Sequence, residues 1–221
     1  MSQGSMIFVL VLAILGLSVA QVPVPSHVPG FVIQNGSESA HVVIDAFYDL
    51  LCPDSKANWP ILQKVMDHYK DDVRVRLVLF PLPYHHHAFF TAFAAQIFLT
   101  HHSSAYEQFV SLIFEHQDEL LSGGVNMTQS EVQQHIASIV SSGDIGVTSQ
   151  QMMMGFKDEN LAERAVLEWK YSAGRTINGT PEFAVNGMVV VDASNYSESQ
   201  WIKFIDGLLH SSSHTMNNMM S

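Results

Sequence analysis

The chain has 221 residues, 47% of them hydrophobic and 14% charged, with a formal net charge of −11. That composition excludes a disordered polymer, and the length supports one domain with a sizeable core, room for an inserted subdomain, and no need of disulfides or metals to fold. A surface this acidic repels phosphate backbones, so nucleic acid is excluded as an expected partner.

Met6–Ala20, MIFVLVLAILGLSVA, is an apolar run of fifteen residues. It is short for a membrane span, which needs about 20. Ser18-Val19-Ala20 suits cleavage before Gln21, so residues 1–20 read as a signal peptide, despite the missing Lys or Arg ahead of the run. The alternative is an uncleaved signal anchor, the one route by which the chain would meet a membrane. The secretory pathway is then the expected location, with extracellular, endoplasmic reticulum and vacuolar destinations all open. Asn-x-Ser/Thr sequons at Asn35, Asn126, Asn178 and Asn195 become glycosylation candidates on that route.

Residues 21–40 are rich in Pro, Ser and Gly and read as a leader. HVVIDAFYD (41–49) is an apolar, β-rich run expected to be a buried central strand. A helix is expected from Cys52, because Pro53 suits a first helical position where no N–H is needed. Trp59, Leu62, Val65 and Met66 then recur on one face through about Tyr69. VRVRLVLFP (73–81) reads as a second strand, parallel to the first across a βαβ unit.

Residues 84–175 carry mostly helical signals. AFFTAFAAQIFLTHH is one helix, and SSAYEQFVSLIFEHQDELL is a second, ended by Gly123-Gly124. TQSEVQQHIASIV is a third, with Thr128 and Glu131 at capping-box spacing. TSQQMMMGF is a short helix or turn. DENLAERAVLEWKYSAGR is a long amphipathic helix, with Leu161, Ala165, Trp169 and Ser172 at core-facing spacing. TPEFAVNGMVVVD (180–192) is a hairpin turning at Asn186-Gly187. SESQWIKFIDGLLH closes the domain at about residue 210, and 211–221 reads as a disordered tail. The fold class is therefore α/β with an inserted helical subdomain, over residues 41–210.

Cys52 is the sole cysteine. No internal disulfide can form, so the thiol is inert, reactive or paired with another chain. A helix N-terminus favours a thiolate, and Ser55 one turn along could donate to it. Asp49 and Asp54 oppose it.

Here the sequence resembles the thioredoxin superfamily, most closely its DsbA-like branch with a helical insertion. VVIDAFYD runs into C-P-x-S where active members have C-P-x-C. Pro60 stands eight residues after Cys52, like the proline that kinks the active-site helix, and GTPEFAVNG resembles the cis-proline segment. The chain is also similar to eukaryotic thioredoxin-like proteins carrying CPDS, WP and PLPYH. The resemblance implies Cys52 as nucleophile with Ser55 beside it. It also implies a cis Pro181, with Thr180 pairing an extended substrate flanked by Pro53 and Asp54. Three departures point away from a strong dithiol oxidant. Ser55 replaces the second cysteine, Ala46 replaces a buried acid, and Asp54 stands where oxidants often carry His.

Three functions follow. The first is monothiol exchange or isomerisation, with protein thiols and disulfides as partners, glutathione as a co-substrate and no resident cofactor. The second is a non-catalytic peptide-binding or chaperone module. The third is a glutathione-using enzyme of kappa-class type. No metal is expected. His85-His86-His87 reads as a solvated helix start, because consecutive helical residues diverge. QQMMMGF reads as core filling or an apolar contact surface.

Overall fold

The computed structural model describes residues 24–34, 36 and 40–219, the side chains of 212–219 excepted. The signal segment and Asn35 lie outside the described residues. Five strands form one sheet: β1 (Phe31–Gln34), β2 (Val42–Tyr48), β3 (Val73–Leu79), β4 (Glu182–Val185) and β5 (Met188–Val189). Their order is β1-β3-β2-β4-β5. β2 is central, parallel to β3 and antiparallel to β4.

The helices are α1 (Pro53–Tyr69), α2 (Ala88–His102), α3 (Tyr106–Glu115), α4 (Gln117–Leu121), α5 (Gln129–Ser142), α6 (Ser149–Gly155), α7 (Glu159–Ala173) and α8 (Glu198–Met219). α1 closes the β2-α1-β3 crossover, and α2 to α7 all lie between β3 and β4. This is a thioredoxin-like fold with added helices.

Period-two alternation sorts the sheet's two faces. Val42, Ile44, Ala46 and Tyr48 point into the larger core with Trp59, Leu62 and Val65 of α1. Phe47 and Val78 point the other way, into a smaller cluster with Phe80, Leu82 and Ile177. Asp45 and Arg76, opposed in the β2–β3 register, form a 2.6 Å ion pair on that second face. α8 returns beside α1, where the Tyr69 hydroxyl donates to the Ile202 carbonyl and to Asp206. Trp201 of α8, 1% exposed, packs its ring 5.0 Å from that of Phe183.

Local signals acted as their chemistry requires. Thr128 and Glu131 complete a capping box, and Thr148 with Gln151 completes a second at α6. Asn186 (φ 49°) and Gly187 (φ 82°) turn the β4–β5 hairpin through left-handed backbone.

Five expectations change. The leader contains an edge strand, β1, antiparallel to β3. The second inserted helix is divided at His116 (φ −92°, ψ 11°), and Gln117 turns inward, 1% exposed. In α7 Leu161, Ala165 and Ser172 are buried as expected, but the fourth buried residue is Glu168, and its neighbour Trp169 is 40% exposed. The histidine run is not a solvated helix start. His87 is buried with Nε2 2.8 Å from the Gly124 carbonyl, His85 is largely covered, and only His86 is exposed. α8 continues through Met219, so the tail expected from residue 211 is helical along most of its length.

Candidate functional site

The site starts from the end of β2. Asp49 and Leu50-Leu51 form a tight turn in which the Cys52 N–H donates to the Asp49 carbonyl at 3.0 Å. Pro53 opens α1 at a position where its missing N–H costs nothing, and Cys52 is the N-cap in extended conformation. The cysteine is 4% exposed. Its thiol donates to the Thr180 carbonyl at 3.2 Å. The Thr180–Pro181 peptide is cis and immediately precedes β4, which pairs antiparallel with β2.

The other sequence-picked residues fall around this pair unevenly. Pro53 and Asp54 are exposed on the first turn of α1. Ser55 is fully buried and its hydroxyl has no hydrogen-bond partner. It therefore makes no bond to Cys52 in this resting arrangement. The Thr180 hydroxyl is likewise buried and unpartnered. A cavity of about 250 Å³ opens beside the thiol, lined by Asp54, Ala57, Asn58, Ile61, Thr180, Pro181, Ser194 and Asn195. Asn58 is fixed there, accepting from the Tyr48 hydroxyl and donating to the Ser194 carbonyl. Asn126, Asn178 and Asn195 are all exposed. Asn195 alone of these three lines the cavity at Cys52.

Three residues support the turn: Gln117, which the sequence did not single out, Asp49, read there only as a charge opposing a thiolate, and His85, read there as part of a solvated run. Gln117 donates to the Leu50 carbonyl at 2.9 Å and to the Cys52 carbonyl at 3.0 Å. The Asp49 carboxylate accepts from the Leu51 N–H at 2.8 Å and the Leu82 N–H at 3.0 Å, and meets His85 Nδ1 at 2.6 Å. Burial pushes the Asp49 carboxyl upward, while the bonds from His85, Leu82 and Leu51 pull against that rise. Deeper in the fold, Glu168 accepts from the Leu79 N–H and from Gln96. Burial raises it to about 7.

Asp49 and His85 could have been paired in advance from one signal. The parallel register that sets Tyr48 against Leu79 brings Asp49 beside the residues following β3. Gln117 carries no such signal, because its approach depends on the break at His116.

A family model described as thioredoxin matches residues 30–207. The chain belongs to the thioredoxin family. Solved thioredoxin-fold structures resemble it closely in architecture and distantly in sequence. BdbD from Bacillus subtilis, in its oxidised form, is 17% identical with a TM-score of 0.64, over 84% of this chain and 100% of BdbD. DsbA2 from Pseudomonas aeruginosa is 19% identical with a TM-score of 0.59, over 85% and 97%. The thiol-disulfide exchange protein α-DsbA2 from Wolbachia pipientis is 15% identical with a TM-score of 0.62, over 81% and 87%. None of the curated proteins compared matches the chain. The family and its DsbA-like neighbours show the fold that carries Cys52. The membership by itself does not dictate what one thiol does.

Among the described residues, no three His, Cys, Asp or Glu side chains gather as a metal site. No described helix is long and apolar enough to cross a membrane.

Proposed function

We propose that this thioredoxin-family chain is a monothiol thiol–disulfide exchange protein that acts through Cys52. The observation that carries the reading is the placement of its single thiol at the N-terminus of α1, against the Thr180 carbonyl beside cis Pro181.

The chemistry follows from the electron balance. The Cys52 thiolate attacks one sulfur of a client disulfide, forming a Cys52–client disulfide and releasing the other sulfur as a client thiolate. With no second cysteine in the chain, the adduct is resolved from outside. A client thiolate attacking the client sulfur restores the Cys52 thiolate and leaves a new client disulfide, which is isomerisation with no net oxidation. A glutathione thiolate attacking the same sulfur restores Cys52 and leaves a client–glutathione disulfide. Before attack, the thiol must leave the Thr180 carbonyl. That carbonyl then becomes free to accept from an extended client, and Pro53, Asp54 and the Asn58–Asn195 wall flank the approach. Ser55, buried and unpartnered, is the nearest candidate donor along α1 for the released sulfur.

Clients are protein or peptide thiols and disulfides, met in the secretory pathway. Glutathione serves as co-substrate, with no resident cofactor. Asn126, Asn178 and Asn195 would carry glycans on that route, and Asn35 lies outside the described residues.

A second reading is favoured by one observation: the thiol is 4% exposed and already bonded. In that reading the groove holds peptides without chemistry. The two separate on one experiment. The parent chain and Cys52→Ala are incubated with a disulfide-bonded peptide, quenched with acid and weighed intact. Exchange requires a covalent adduct on the parent and none on the variant. Equal, purely non-covalent peptide binding by both would establish the second reading.

A further inference from the structure

One buried carboxylate joins the turn that carries Cys52 to the loop after β3. Asp49 has no exposed side-chain surface. One of its oxygens holds the Leu51 N–H, immediately before Cys52, and the other holds the Leu82 N–H and His85 Nδ1. A carboxylate buried this fully needs compensation, and three donors supply it. His85 is the basic side chain bonded to it among the described residues. Around the imidazole, the loop contributes Tyr84 and His86, α2 contributes Phe89, and α7 contributes Val166 and Trp169. On the far side of the turn, α4 contributes the neutral Gln117. His85 Nε2 has no hydrogen-bond partner among the described residues, and the ring borders a cavity of about 270 Å³.

We propose that Asp49 and His85 are a positioning pair for Cys52, fixing the β2–α1 turn through the Leu51 N–H. The proposal rests on Cys52 as the reacting group. Neither residue touches the client. Both act through the Leu51–Cys52 backbone.

Two measurements on the full chain test this. Amide hydrogen exchange at Leu51 and Leu82 reads the geometry directly. Loss of a hydrogen bond to a charged acceptor in Asp49→Asn or His85→Ala should speed exchange there roughly tenfold or more. His85→Asn should restore protection, because the Asn amide stands where Nδ1 stood and still donates. The rate of Cys52 with 4,4′-dithiodipyridine reads the consequence for the thiol. It should change in Asp49→Asn and His85→Ala and return to the parent value in His85→Asn, with all three variants folded by near-ultraviolet circular dichroism. Unchanged protection of Leu51 and Leu82 in both Asp49→Asn and His85→Ala would overturn the pair's positioning role. A Cys52 rate identical in the parent, Asp49→Asn and His85→Ala would overturn the pair's link to Cys52. A parent Cys52 that never reacts sinks the exchange reading instead, and the amide data still decide the pair.

Discussion

Glu168→Gln should remove a pH dependence from the stability of this protein. Glu168 is 6% exposed on α7, and its carboxylate faces only donors: the Leu79 N–H, the Gln96 amide and the Gly30 N–H. Those bonds favour the charged form, yet burial dominates and lifts the carboxyl from 4.5 to about 7. The folded state therefore holds this proton more tightly than the unfolded chain does. The stabilisation is complete below about pH 4.5 and is lost as the pH climbs through about 7. At about 1.4 kcal/mol per pH unit of difference, the loss amounts to about 3 kcal/mol. Gln keeps the side chain's volume and cannot titrate, so the variant lacks this slope. Asp49, also raised by burial, contributes in the same direction in both proteins and cancels in the comparison. Urea melts at pH 4.5 and 7.5, on parent and variant, measure the difference. The parent should lose about 3 kcal/mol more than Glu168→Gln between the two. Equal losses would refute the reasoning, and would mean that Glu168 titrates in the native protein as it does in the unfolded chain.

Other consequences are as direct. Ser55→Cys places a second thiol one turn from Cys52, and mild oxidation should then leave no free thiol by dithiodipyridine titration, where the parent retains one. Retention of two free thiols would show that the buried Ser55 site faces away from Cys52. Trp201→Ala empties a site packed on Phe183 and Tyr196, and denaturant melts should show a loss of about 3–5 kcal/mol. Thr128→Ala removes one arm of the α5 capping box and should cost about 1 kcal/mol in the same assay.

The fold was most legible where chemistry acts over a few residues. Pro53 after Cys52 marked the start of α1, Asn186-Gly187 marked the hairpin, and Thr128 with Glu131 marked α5. The parallel β2–β3 pair followed from two apolar runs separated by one helix. What escaped depended on partners far along the chain. Helical spacing alone gives Glu168 and Trp169 adjacent directions, and the assembled fold buries the charged one because Leu79, Gln96 and Gly30 all offer it donors. Phe31–Gln34 forms an edge strand only because β3 leaves that edge open, so its local Pro/Gly setting concealed it. His85 and His87 read as surface residues until Asp49 and the Gly124 carbonyl reach them from other segments. The cysteine, its proline and the hairpin facing them were visible in the sequence. The roles of the turn's supports were not: Asp49 was visible only as a charge near the thiol and His85 only as part of a histidine run, and Gln117 depends on the break at His116.

The central claim is that one thiol exchanges with client disulfides and needs an outside thiol to let go. Intact-mass analysis of the full chain after incubation with a disulfide-bonded peptide tests it most directly. The account requires a peptide adduct on Cys52 that persists after excess peptide is removed, disappears on adding reduced glutathione, and never forms on Cys52→Ala. An unmodified parent chain that nonetheless binds the peptide would contradict it.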